Sequence, residues 1–282
     1  MALQINPLSK HLGVEVSGID LSKPLDPETV EIIYKAFVNN VILVFRDQML
    51  DHHQFLAAAK NFGEPIPRHG KDRLVPDCPL VSYVTNQIKQ DDGSPKIYGA
   101  FWHTDHSFQP EPPKATLLNS VTLPDSGGDT YFANTRAAYD ALSDDMRERI
   151  NGLKAVHFYQ DRREPPPEEE RKREAKATSD NVTDGVAHPV ARTHPDTGHK
   201  AIYINPLRVK RFVGMAPEDC VQLIEDLAEH ATQPQFVHRY TWRQGDVIMW
   251  DNRQALHKAT KDYDLSQPRL LHRLILKGDR PS

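Results

Sequence analysis

The sequence predicts a mainly β protein with flanking helices, arranged as an antiparallel sandwich or barrel. Three observations carry this. Short apolar segments bounded by glycine, proline and polar residues recur along the chain, with few helical patterns between them. They show no βαβ alternation, which argues against a parallel sheet. Three strand patterns, Phe236–Trp242, Asp246–Trp250 and Leu270–Lys277, close the chain. A chain of 282 residues buries roughly three quarters of its unfolded surface. One core is then sufficient, and residues 1–282 are expected to form a single domain without internal repeats.

Each element has a local cause. Residues 1–25 read as short strands and turns broken at Gly13 and Gly18. Asp26-Pro27-Glu28 opens a helix, with an aspartate cap, proline at the first position, and Val30, Ile33, Tyr34 and Phe37 at helical spacing. The unbroken run Val41–Phe45 suggests a strand buried on both faces. Asp51 caps a second helix that ends at Phe62-Gly63. Residues 64–100, rich in proline and charge, read as a long irregular segment of the kind that is usually functional. Ala115–Leu123 and Tyr131-Phe132 read as strands joined through the turn Gly127-Gly128-Asp129-Thr130. One amphipathic helix is expected from Thr135 to Asn151, then a strand over Lys154–Gln160. Residues 161–187 are charged and poor in apolar side chains, which predicts a mobile lid. Order returns over His188–Asn205, and Ala216–Ala231 is the last helix.

Composition excludes several classes. The net charge of −4 gives no basic face for nucleic acid. The run Arg171-Lys172-Arg173 follows Glu168-Glu169-Glu170 and reads as a solvated segment. Two cysteines, Cys78 and Cys220, do not make a disulfide framework, so a reducing, cytoplasmic setting is expected. No signal peptide and no membrane-length apolar run is visible.

The chemistry centres on Trp102-His103-Thr104-Asp105. Residues two apart on an extended segment point to one side. His103 and Asp105 can therefore grip one face of a metal ion, with a donor set that suits Fe(II), Mn(II) or Zn(II). A second histidine would complete a facial triad with open positions for oxygen and a co-substrate. His257, after Trp250-Asp251-Asn252-Arg253, is the best third ligand, with His188 and His194 as alternatives. Tyr159 and Tyr203 are either core aromatics or pocket walls, and His106 has either a structural or a substrate-contacting role.

Together, Trp102-His103-Thr104-Asp105-x-x-Phe108, Gly127-Gly128-Asp129-Thr130, His194-Pro195-x-Thr197-Gly198, Trp250-Asp251-Asn252-Arg253 with His257, and Arg269 with Arg273 resemble the taurine dioxygenase / 2,4-dichlorophenoxyacetate dioxygenase family. Its members are Fe(II)- and 2-oxoglutarate-dependent oxygenases, and the likeness spans nearly the whole chain. It implies a double-stranded β-helix, or jelly roll, flanked by helices. It implies His103, Asp105 and His257 as iron ligands. It assigns the far carboxylate of 2-oxoglutarate to Arg269, with Thr130 as hydroxyl partner. A guanidinium matches such a carboxylate bidentately. Arg273, on the same strand face and about 13 Å further along by strand rise, would hold an anionic substrate. His106, Arg68, His69, Tyr159 and Tyr203 would complete that pocket.

The resemblance further implies O₂ as co-substrate, succinate and CO₂ as products, and a homo-oligomer. Cleavage would follow hydroxylation next to a heteroatom. The chain departs from the taurine-specific pattern at Arg68-His69, Gly99-Ala100-Phe101 and His106. Alkyl sulfates, longer sulfonates or aryloxyalkanoates are therefore expected over taurine, and taurine dioxygenase proper is the alternative. From other classes, a zinc hydrolase or a non-catalytic metal-binding jelly roll would leave Arg269, Thr130 and Arg273 without a purpose.

Overall fold

The computed structural model describes residues 2–68, 73–90, 92–159, 162 and 185–282. Most of the expected lid at 161–187 lies outside the described residues, as does His69.

The chain begins with β1 (Gln4–Pro7), β2 (Val14–Ser17), α1 (Pro27–Asn40), β3 (Ile42–Phe45) and α2 (His52–Lys60). It continues through β4 (Pro65–Ile66), β5 (Leu74–Val75), β6 (Cys78–Thr85), β7 (Ala115–Thr122) and β8 (Thr130–Asn134). Next come α3 (Thr135–Asp140), α4 (Asp144–Ile150), β9 (Lys154–His157), β10 (Val186–Pro189), β11 (Ala191–Thr193), β12 (Lys200–Ile202) and β13 (Val209–Phe212). It closes with α5 (Pro217–Ala231), β14 (Val237–Tyr240), β15 (Val247–Asp251), β16 (Ala255–Ala259) and β17 (Leu270–Leu276).

Two sheets face each other as a jelly roll. The larger runs β1-β2-β3-β15-β7-β17-β6-β5, with β4 on β17, and the smaller runs β14-β8-β16. All pairings in these two sheets are antiparallel except β2 with β3. Between the sheets, Leu118, Ile248 and Leu271 of the larger meet Phe132, Tyr240 and Ala255 of the smaller. Alternation sends the neighbouring side chains outward: Leu117, Met249 and Leu274 pack under Phe37 of α1 and Phe55 of α2. On the far side, α5 packs Leu223, Ile224 and Leu227 with Ala133 and Leu256 of the smaller sheet.

The helix starts follow their caps. Asp26 accepts from the Thr29 amide, with proline opening α1. All four residues of β3 are buried, because helices cover one face and the barrel interior the other. Val41, between α1 and β3, holds a positive φ of 72°. That conformation is costly for a β-branched residue, and full burial of the side chain holds it there.

Two expectations are corrected, and one strand arises where none was expected. The helix over Thr135–Asn151 is two helices, because the Ser143 hydroxyl accepts from the Met146 amide and starts α4 afresh. The segment 64–100 is not irregular throughout: β6 is an eight-residue strand paired with β17. Pro76 sits at the turn between β5 and β6, and Pro79 is the second residue of β6, ahead of the Ser82–Thr85 stretch that pairs with β17. The strand that carries His257, β16, has no sequence signal, since Ala-Leu-His-Lys-Ala lacks β-branched residues. Its pairing with β8 creates it.

At α2 the Asp51 carboxylate accepts from the Gln54 amide, and the Gln54 side chain accepts from the Asp51 amide. Losing such a cap costs about 1 kcal/mol. Asp51→Ala should lower the melting temperature by about 2–4 °C with turnover unchanged, as thermal unfolding followed by circular dichroism would show.

Candidate active site

His103 and His257 are far apart in sequence and adjacent in space. His103 N–H donates to His257 O at 3.0 Å, and His257 N–H donates to His103 O at 2.8 Å, an isolated antiparallel bridge. This pins the His-x-Asp segment to β16. The Thr104 hydroxyl donates to the Asn252 carbonyl at 2.9 Å, and Asn205 donates to the Thr104 carbonyl at 2.8 Å. His103 and Asp105 thereby face the same side, as their spacing predicted.

The three side chains form one donor set. His103 Nε2 lies 4.0 Å from Asp105 Oδ1, and His257 Nε2 lies 3.8 Å from Asp105 Oδ2. Two ligands at about 2.1 Å can span up to about 4.2 Å across one ion, so the set fits a single metal. The His103 tautomer is fixed: Nδ1 donates to the Phe101 carbonyl at 2.7 Å, which leaves Nε2 as a lone pair. His257 Nδ1 is buried without a hydrogen-bond partner. Its ring is held between aromatic neighbours, 4.6 Å from Trp250 and 6.2 Å from Phe132 by ring centroids.

Burial drives both imidazoles toward the neutral form a metal ligand needs, His257 well below its ordinary range. Burial acts in the opposite sense on Asp105, raising its pKa. The nearby Arg273 guanidinium and the two imidazoles override it and hold the carboxyl far below the ordinary carboxylate range. Arg273 approaches Asp105 Oδ1 to 2.8 Å as an ion pair, outside hydrogen-bonding geometry. Asp105 Oδ2 accepts from the Thr116 hydroxyl at 2.6 Å, and Thr116 accepts in turn from Asn252 at 3.0 Å. The turn before β16 is locked by buried Asp251, which accepts from Arg253 and His194, each at 2.8 Å.

His103, Asp105 and His257 line a cavity of about 280 Å³ with Thr130, Arg269 and Arg273. Arg269 is only 6% exposed. Its Nε and one terminal nitrogen donate to the Gly128 carbonyl at 3.2 and 2.9 Å. Among the described residues no carboxylate pairs with it, and burial lowers its pKa. Asp129 offsets this only from a distance, and a buried cation without a paired anion is costly, so the cavity offers a carboxylate site beside the metal donors. The Gly127-Gly128 turn is necessary here. Gly128 has φ of 70°, and a Cβ there would come within 3.0 Å of Arg269 Nε. The Thr130 hydroxyl, 4% exposed, accepts from Trp242 Nε1 at 3.1 Å.

Of the expected substrate contacts, Arg68, His106 and Tyr159 line the cavity. Tyr159 is 53% exposed and stands edge-on to Phe108. Tyr203 is corrected: it is a core residue, packed against His157 and His188 and absent from the cavity wall. Neither alternative ligand reaches the triad. His188 donates from Nε2 to the carbonyls of Ser107 and Gln109 at 2.9 and 3.0 Å, and so shapes the loop after Asp105. His194 is held by Asp251. Sequence reasoning missed Arg73, Tyr98, Asn205, Leu207 and Arg208 in the wall, and Thr116 behind Asp105. No local pattern marks them. Asn252 alone stood inside a motif already noted.

Thr116→Val keeps the shape and removes the hydroxyl that orients Asp105. Loss of such a supporting hydrogen bond typically weakens metal binding about 10–100-fold. Calorimetric titration with Mn(II) should show that loss, while melting in chelator stays close to the parent.

Comparison with known proteins agrees with this geometry. The family model for "Taurine catabolism dioxygenase TauD, TfdA family" matches residues 4–275. An alpha-ketoglutarate-dependent sulfate ester dioxygenase of Pseudomonas putida is 36% identical, covering 100% of this chain and 91% of the relative. An alpha-ketoglutarate-dependent 2,4-dichlorophenoxyacetate dioxygenase of Cupriavidus pinatubonensis is 34% identical, covering 99% of each. The crystal structure of AAD-2 in complex with Mn(II) and N-oxalylglycine superposes with a TM-score of 0.81 at 32% identity, covering 100% of this chain and 99% of that one. With the jelly roll, the two-histidine-one-carboxylate cluster and a family match over nearly its full length, the chain belongs to the TauD/TfdA family of dioxygenases.

Proposed function

We propose that this dioxygenase binds Fe(II) through His103, Asp105 and His257, takes 2-oxoglutarate as co-substrate, and hydroxylates a small organic anion, foremost a sulfate ester. The observation that carries the reading is Arg269. It is a buried guanidinium without a carboxylate partner among the described residues, in the same cavity as the three metal donors. A hydrolase using the same triad would have no need of it.

When bound, iron with 2-oxoglutarate and O₂ supplies oxidation of a C–H bond, with 2-oxoglutarate split to succinate and CO₂. The protein's own residues bind, orient and exclude water. Asp105 and the neutral histidines present lone pairs to one point. Thr116 and the Phe101 carbonyl fix the orientation of Asp105 and His103. Arg269 holds the far carboxylate of 2-oxoglutarate, with the Thr130 hydroxyl beside it. Val84, Leu118, Trp250 and Leu271 form an apolar wall that keeps water from the reacting centre.

Arg273 balances Asp105 and also faces the cavity. An anionic substrate end would share that guanidinium, which places the adjacent carbon near the metal side chains. Tyr98, Phe108 and Tyr159 supply aromatic walls, and Arg68, Arg73 and Arg208 add cationic groups around the same cavity. The named activities of the Pseudomonas putida and Cupriavidus pinatubonensis relatives support an anion with a larger body than taurine. Hydroxylating the carbon next to a sulfate oxygen gives a product that splits to a carbonyl compound and sulfate. A cytoplasmic setting suits the two buried free thiols, Cys78 and Cys220.

Oxygen-dependent succinate release across alkyl sulfates, sulfonates, aryloxyalkanoates and taurine tests this. Alkyl sulfates should give the highest kcat/KM and taurine a poor one. In Arg273→Leu the substrate KM should rise at least about tenfold, the loss expected for one charge-assisted contact. Succinate release without substrate should largely persist. Best turnover with taurine or with a neutral compound, or an unchanged KM in Arg273→Leu, would contradict the reading.

A further inference from the structure

A second group of metal-ligating side chains stands on the opposite face of β17 from the cavity. His52 and His53 open α2, and Asp77 lies in the turn between β5 and β6. Both imidazoles converge on one carboxylate oxygen: His52 Nε2 lies 2.9 Å and His53 Nε2 3.2 Å from Asp77 Oδ2. The two rings sit 4.4 Å apart by centroids, and the three ligand atoms all lie within 4.8 Å of one another. Ligands at about 2.0–2.1 Å in a tetrahedral shell stand roughly 3.3 Å apart. The two nitrogen–oxygen separations are close to that edge.

An independent observation comes from beneath. His272 of β17 is only 8% exposed, and its ring stands edge-on to His52 with centroids 6.0 Å apart. Its Nδ1 is buried with no hydrogen-bond partner. The amino end of α2 disfavours a cation, and the Asp51 and Asp77 carboxylates offset this.

We propose that His52, His53 and Asp77 form a second, surface site for a divalent cation, with water completing the shell, that ties the start of α2 to the β5–β6 turn. Two imidazoles and one carboxylate fit Zn(II) first among borderline cations. The site bears on the dioxygenase cavity through the same hairpin. Arg73 directly precedes β5 and lines the cavity, whereas Asp77 ends the turn at the other side of that strand. An ion at Asp77 therefore steadies one end of a hairpin whose other end forms the cavity wall. The proposal does not depend on which metal or substrate the cavity takes.

Equilibrium dialysis against Zn(II), with bound metal measured by atomic emission, tests it in two backgrounds. His53→Ala/Asp77→Ala should bind one equivalent fewer than the unsubstituted chain. The same pair added to His103→Ala/His257→Ala should again remove one equivalent. His53 and Asp77 are largely exposed, so substituting them should leave melting in chelator unaltered in either background. Crystals of the unsubstituted chain soaked in Zn(II) should show an anomalous peak between His52, His53 and Asp77. Equal stoichiometry with and without His53→Ala/Asp77→Ala, in either background, would overturn the site. So would a zinc-edge map without that peak.

Discussion

The reciprocal hydrogen bonds between the backbones of His103 and His257 are the constraint on which the active site depends. Two amides and two carbonyls, paired at 3.0 and 2.8 Å, join a loop segment to the edge of β16. Neither segment is a strong strand former. Each is held by what lies behind it: β16 by β8, and the His-x-Asp segment by Asn205 and Asn252. Closing the loop between residues 103 and 257 costs entropy that grows only slowly with loop length. The jelly roll has already brought the ends together, so two hydrogen bonds suffice to set the register. Register then decides which way His103 and Asp105 point, since a slip of one residue would turn both away.

Charge is arranged around that frame in two opposite ways. Asp105, deep in the cavity, is paired with Arg273 and hydrogen-bonded by Thr116. The guanidinium of Arg269, equally buried, has only the Gly128 carbonyl as a hydrogen-bond partner; Asp129 acts on it from a distance, and among the described residues no carboxylate pairs with it. A protein selected for stability alone would pair or remove such a cation. Its persistence fits a site completed by a dicarboxylate ligand. The supporting groups are all placed by rigid elements: β7 carries Thr116, β8 carries Thr130, and β17 carries Arg273 with Arg269 immediately before it. A loop-borne clamp would hold the same groups less well.

Much of this was legible from the chain. His-x-Asp on an extended segment states its own geometry, and the caps at Asp26 and Asp51 state where helices begin. The apolar run before Phe45 announced a strand covered on both faces. The even spacing of Arg269 and Arg273 correctly put both side chains in one cavity. What stayed hidden depended on partners distant in sequence. Nothing in Ala255–Ala259 announces a strand, because β8 makes it one. Tyr203 looked like a pocket aromatic, yet burial against His157 and His188 makes it core. The ion pair of Arg273 with Asp105 was equally invisible, since strand periodicity gives a face but not a partner. The convergence of His52, His53 and Asp77 needed the β5–β6 turn, in a segment read as irregular.

The most direct measurement of the central claim is an anaerobic calorimetric titration of 2-oxoglutarate into the protein with and without Fe(II), repeated for Arg269→Ala. The account predicts tight binding only when Fe(II) is present. In Arg269→Ala the affinity should fall at least about tenfold, since a charge-assisted hydrogen bond contributes roughly 1.5–3 kcal/mol, with Fe(II) affinity unchanged. Binding of 2-oxoglutarate that is indifferent to Fe(II), or equal in the parent and Arg269→Ala, would contradict it.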